Sequence, residues 1–174
     1  MPELELSAGT IEYEDTGGDG PTIVFSHGLF MDGSQWRHVV ADLRADYRCV
    51  LPTLPLGAQR QPMHPDADLS MRGIATLLGE LIDGLDLRDV TLAMSDWGGP
   101  QLLIGSHYEQ RIARLVICSC EAFDNVPPKG TAKALPYIAR LPGGIAAVVF
   151  PFRFDGLRRL PVYLRCAQQA ARPA

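Results

Sequence analysis

Several features that would place this 174-residue chain at once are missing from it. The four cysteines, Cys49, Cys118, Cys120 and Cys166, form no Cys-x-x-Cys pair and have no accompanying histidine spacing. A zinc site is therefore not expected, and the cysteines read as reduced, mostly core residues. No basic stretch followed by an apolar run opens the chain, and no apolar segment approaches the length of a membrane span. The expectation is a cytoplasmic protein with neither leader nor membrane contact. Excess positive charge is absent too: a net charge of -4 gives no reason to expect nucleic acid. The late arginines Arg153, Arg158, Arg159 and Arg165 stand among aromatics and prolines and read as solvated helix faces. What remains, 47% apolar and 21% charged residues, describes an ordinary globular chain near the size of one domain. No metal or cofactor is expected.

Strands and helices alternate along the first two thirds. Leu4 to Leu6 and Ile11 to Tyr13 suggest a small antiparallel start. Gly17, Gly18 and Gly20 then break the chain before the buried-type run Thr22-Ile23-Val24-Phe25. Ser34 is a candidate cap for a helix bearing Trp36, Val39, Val40 and Leu43, and Tyr47 to Leu51 is the next strand. Ser70 caps a predicted helix with Ile74, Leu77, Leu78, Leu81, Ile82 and Leu85 on its apolar face. Strand Val90 to Met94, a helix from about Gly99 to His107, and strand Ile112 to Cys118 follow. This order predicts an α/β fold with a mainly parallel sheet covered on both sides. After Glu121 the prolines Pro127, Pro128, Pro136, Pro142, Pro151 and Pro161 cut the chain into short helical pieces such as Thr131 to Leu141 and Pro161 to Ala170. Ala146 to Phe150 is open to a strand reading. That segment is expected to lie over the carboxyl edge of the sheet.

The most chemically pointed residues are Asp96-Trp97-Gly98-Gly99, directly after an apolar strand. Strand, tight turn and helix in succession make a nucleophile elbow, and the register assigns the nucleophile to Asp96: the position two beyond it, which must be small, is then Gly98, whereas Ser95 would put Trp97 there. Asp96 as a simple helix cap is the plainer reading. His27-Gly28 follows the third strand, and a turn there aims a backbone N–H, that of Leu29, toward the same point as the N–H of Trp97, as an oxyanion hole requires. His27 itself reads as a residue holding that loop. The Trp97 indole N–H either points into the pocket to hold a leaving anion or packs inside. Glu121 is either an acid that orients a histidine or a solvated loop residue. A carboxylate attacking an sp³ carbon forms an ester, and breaking it takes an activated water. None of His27, His38, His64 and His107 is placed to activate it.

These residues together, His27-Gly28 with Trp36 downstream, Ser95 to Gly99, and Cys118-Ser119-Cys120-Glu121-Ala122-Phe123, resemble the amino-terminal part of an α/β-hydrolase of the haloalkane dehalogenase and epoxide hydrolase branch. The resemblance implies residues 1–124 as the amino-terminal core and 125–174 as an incomplete helical cap. It implies Asp96 as the nucleophile that displaces halide, Trp97 as a halide-holding tryptophan and Glu121 as the acid after the strand, with Gly28, Gly98 and Gly99 shaping the site. The substrate would be a small apolar organic molecule. Leu29 stands where dehalogenases commonly carry a polar donor. An epoxide hydrolase version would call on Tyr137 and Tyr163, and Phe30 departs from its usual proline. The late histidine of such enzymes is missing, so a truncated form with little or no turnover is expected, with self-association through an incomplete sheet edge. A non-catalytic binding remnant and a Ser95 esterase are the competing readings.

Overall fold

The computed structural model describes residues 1–120, 137–138 and 140–154. The chain divides into two compact units, Met1–Val126 and Pro127–Ala174. The first is built on a six-stranded sheet: β1 (Glu3–Leu6), β2 (Gly9–Asp15), β3 (Thr22–Ser26), β4 (Arg48–Pro52), β5 (Val90–Asp96) and β6 (Ile112–Cys120), in the order β1-β2-β4-β3-β5-β6. β1 and β2 pair antiparallel, and so do β2 and β4. β4, β3, β5 and β6 run parallel. This is the predicted mainly parallel α/β architecture.

The side-chain period of two sorts the strands onto two faces. Val24, Val50, Val90 and Leu92 pack with Ile74, Leu78, Leu81 and Ile82 of α2 (Met71–Gly84). The alternate residues, Ile23, Phe25, Cys49, Leu51 and Ala93, pack with Trp36 and with Val40 and Leu43 of α1 (Arg37–Leu43). Ser70 caps α2 by accepting the Gly73 N–H, as the sequence indicates. Leu81, with no exposed surface, would cost about 2–5 kcal/mol to truncate to alanine.

Three local expectations are corrected. Ser34 does not cap the first helix: Asp32 accepts the Ser34 N–H, and the chain makes a 3-10 turn, Gly33–Trp36, before α1 begins. β5 runs two residues beyond Met94 and ends on Asp96 itself. No α-helix spans 99–107; a 3-10 turn, Gly99–Leu103, is followed by irregular turns. Ile104 is extended, with ψ 124, and Gly105, at φ 86, leaves the helical region.

β3 connects leftward to β4 through α1, while β5 connects rightward to β6. The carboxyl ends of β3 and β5, adjacent in the sheet, therefore flank a topological switch point, where open α/β sheets bind ligands. β6 is outermost and has no second pairing strand among the described residues, with Val116 and Ile117 exposed on it. Among the described residues no helix is long and apolar enough to cross a membrane.

In the second unit, Gly143 at φ 74 leads into α3 (Gly144–Val149), continued as a 3-10 turn, Phe150–Arg153. Ala146 to Val149 is thus helical rather than a strand. Tyr137 is exposed. Pro161 to Ala170, Tyr163 and Cys166 lie outside the described residues.

Candidate active site

Asp96 closes β5 in a conformation that side chains rarely take, with φ 72, while the Trp97 N–H donates back to the Ser95 carbonyl at 3.0 Å. A three-residue turn closed in this way is strained, and it throws the middle side chain outward. Asp96, not Ser95, occupies that middle position. Its carboxylate is exposed, and Oδ2 accepts the Leu29 N–H at 2.8 Å.

The backbone around Leu29 is set by its neighbours. His27 is fully buried, and its Nε2 accepts the Leu54 N–H at 2.8 Å. The ring proton therefore sits on Nδ1, which donates to the Gly28 carbonyl at 2.8 Å. In a trans peptide the N–H points opposite to the C=O, so fixing the Gly28 carbonyl directs the Leu29 N–H toward Asp96. Burial pushes the His27 pKa below its usual value, keeping the ring neutral in this role. Gly28 is the other requirement: a β-carbon there would stand 2.8 Å from Cβ of Asp96, too close for any larger residue. The Gly28 N–H is taken by the side chain of Gln35, with Oε1 at 2.7 Å. Beyond Leu29, Phe30 is held at φ 60 by donating its N–H to the Leu56 carbonyl at 2.8 Å. Leu29, Phe30 and Met31 each remain about 40% exposed, giving the neighbourhood of Asp96 an apolar character.

Two arrangements differ from the expected site. The N–H groups of Leu29 and Trp97 do not converge on one point, because the first binds the Asp96 carboxylate and the second closes the turn on Ser95. The Trp97 indole does not point outward either. Its ring is buried, and Nε1 donates to the His27 carbonyl at 2.9 Å, which ties the turn after β5 to the turn after β3. That packing explains Gly99, where a side chain would collide with the Trp97 ring. Gly98 is buried between them at φ -85. Cys120 lies beside Asp96 in the sheet register, and Glu121, the next residue, lies outside the described residues.

All four histidines of the chain are described, and none bonds to Asp96. His27 uses both ring nitrogens on backbone, His64 meets Glu5 at 3.3 Å, the His107 ring lies tilted against Tyr108 with centroids 3.8 Å apart, and His38 is exposed on α1. Gln35 was missed in the sequence. Its only available signal is the position beside Trp36, whose ring packs 5.1 Å from Phe25 of β3 and so anchors its neighbour near the end of that strand.

The alpha/beta hydrolase family matches residues 23–173, and the chain belongs to that family. A cis-3-alkyl-4-alkyloxetan-2-one decarboxylase of Xanthomonas campestris is 36% identical over 140 residues, 72% of this chain and 45% of that protein. A haloalkane dehalogenase of Mesorhizobium japonicum is 32% identical over 96 residues, 55% of this chain and 30% of that protein. The chain thus spans less than half the length of these relatives. Among solved structures, a putative ancestral haloalkane dehalogenase superposes with a TM-score of 0.66 at 20% identity, covering 93% of this chain and 57% of that one. At this identity the likeness shows the fold alone.

Proposed function

We propose that Asp96 is a carboxylate nucleophile that attacks an sp³ carbon of a small apolar substrate, as in the first half of a haloalkane dehalogenase reaction. The bond between that carbon and the halogen breaks, halide leaves with the electron pair, and the substrate carbon becomes esterified to Asp96. One observation carries this reading: the carboxylate stands exposed on a strained turn with Oδ2 held by the Leu29 N–H at 2.8 Å. A donor on one oxygen orients the group and leaves the other oxygen free to attack. Incubation with a 1-bromoalkane followed by intact-mass measurement tests the step. An added alkyl mass, absent in Asp96→Asn, is expected; a folded sample that gains no mass overturns it and favours a binding protein without turnover.

Releasing the ester by hydrolysis needs an activated water, and the histidines of this chain are engaged elsewhere or stand apart from Asp96. With haloalkanes the adduct is therefore expected to persist. An epoxide would leave the same ester, and Glu121 is retained as the candidate acid only in these hydrolytic versions.

The 36% identity to the Xanthomonas relative supports a second reading, in which the substrate is a four-membered lactone like the one its name gives. Attack of Asp96 on the ring carbon bearing oxygen opens the C–O bond, and the pair goes to the freed substrate carboxylate. Loss of carbon dioxide from the neighbouring carbon then supplies the pair for a C=C bond and expels Asp96 as a free carboxylate. Neither water nor a histidine base enters this cycle, and the leaving group stays tethered, so the buried Trp97 indole is not required as a halide donor. Alkene and carbon dioxide released over many turnovers from a cis-3,4-dialkyloxetan-2-one would support it. A stoichiometric adduct with no alkene would return the assignment to the first reading.

A further inference from the structure

We propose that Gln35 is a positioning residue for the Asp96 nucleophile. The proposal rests on the nucleophile reading above, and it concerns how the donor to Asp96 is kept in place. Two successive peptide groups make up the turn after β3. The second, Gly28–Leu29, is oriented at its carbonyl by the His27 ring and presents its N–H to Asp96. The first, His27–Gly28, has its N–H bound by Oε1 of Gln35 at 2.7 Å. The same group's carbonyl, that of His27, receives the Trp97 indole at 2.9 Å. Gln35 and Trp97 therefore grip one peptide plane from its two ends.

The grip has a rigid base. Gln35 belongs to the Gly33–Trp36 turn, which Asp32 caps through the Ser34 N–H, and the next residue, Trp36, is buried against Phe25. Its side chain thus reaches seven residues back from a braced position to a buried amide that has no other partner. Without an acceptor there, the Gly28 N–H would be buried and unpaired, and the turn would rotate to satisfy it. Rotation of that plane carries the Leu29 N–H away from Oδ2. The oxygen that attacks then loses its fixed direction, although no substrate-contacting group has changed. The amide nitrogen of Gln35 plays no part, so an acceptor alone is sufficient.

Gln35→Met keeps length and apolar volume while removing the acceptor; Gln35→Glu keeps the acceptor. The two are compared with wild type in saturable alkylation by a 1-bromoalkane and in the 1H–15N spectrum. Gln35→Met is expected to lower the limiting alkylation rate about tenfold to a hundredfold with the half-saturating concentration little changed. Its Leu29 amide resonance should move toward the position seen in Asp96→Ala. Gln35→Glu should stay within about threefold of wild type and leave the Leu29 resonance near its original place. Equal impairment of both variants, or an unmoved Leu29 resonance in a folded Gln35→Met, overturns the proposal. The amide resonance reads the positioning even in a protein that takes no adduct, so failure of the nucleophile reading and failure of this one are told apart.

Discussion

The two ends of the parallel strands are held together by different means. At the carboxyl ends of β3 and β5 the contacts are backbone groups in fixed directions: the Leu29 N–H on Asp96, the Leu54 N–H on His27, the His27 carbonyl under Trp97. At the amino ends of β5 and β6 the contacts are long charged side chains. There Arg111 bonds Asp83 and Asp86, and Arg88 also reaches Asp86 at 3.0 Å, around a polar surface concavity lined by Arg88, Asp89, Gln110 and Arg111. The two aspartates and Arg88 are exposed, and such ion pairs tolerate rearrangement because solvent replaces much of what they give. The Leu54 N–H on His27 and the Trp97 indole on the His27 carbonyl are buried with one geometry each, so a shift in either is carried to the Leu29 N–H on Asp96. Precision sits at one end of the sheet and adaptable charge at the other.

The sharpest way to break this contrast is at Asp96. Asp96→Asn should abolish alkylation entirely while leaving the melting temperature near that of wild type; an undiminished adduct would move the chemistry elsewhere. Gly28→Ala comes next, because the added methyl meets Cβ of Asp96 at 2.8 Å. Alkylation should fall about tenfold to a hundredfold with a stability loss of about 1–3 kcal/mol in urea melts. An unaffected Gly28→Ala would show that the close approach is slack.

His27 supplies a prediction in pH. Burial lowers its folded pKa beneath the ordinary 6.5, so between the two values the unfolded chain binds more protons than the folded one. Stability is whole above pH 6.5 and is lost as pH falls through the lowered folded value. Asp15 acts further down: the Arg48 guanidinium holds its carboxyl below 3.8, and that contribution is present above pH 3.8 and lost beneath it. Urea melts from pH 8 to pH 4 should show the first decline, and His27→Ala, less stable by about 2–4 kcal/mol at neutral pH, should lack it. A variant that keeps the same pH slope would show that another group produces it.

The smallest effect belongs to the opposite end. Arg88→Ala, which removes an exposed partner of Asp86, should shift the melting temperature by no more than about 2 °C and leave alkylation unchanged. A slowed reaction would mean that the two ends communicate through β5 and β6.

Much of the sheet was legible because buried parallel strands and the α2 stripe leave strong periodic signals, Thr22 to Phe25 and Ile74 to Ile82 among them. A tight turn after β5 was legible in the glycines that follow the apolar strand, and Asp96, at φ 72, is its middle residue. Directions of bonds were not legible. That the Trp97 indole turns inward to His27, that Asp32 rather than Ser34 caps the first turn, and that Gln35 reaches Gly28 all depend on where loops close in space. Residue type alone does not encode such closures. The helix expected over 99–107 is cut short at Ile104, which is extended at ψ 124, and at Gly105, whose φ of 86 leaves the helical region whatever the apolar spacing prefers.

Leu29 joins the peptide that faces Asp96 to a side chain that stays 41% exposed. Its N–H belongs to every residue except proline, so the donor survives nearly any change of side chain at that position. The side chain, standing beside the Asp96 carboxylate, is free to be exchanged for larger, smaller or polar groups. Position 29 is therefore a natural point for diversifying the surface around Asp96, where a randomised codon varies its surroundings without touching the hydrogen bond to its carboxylate.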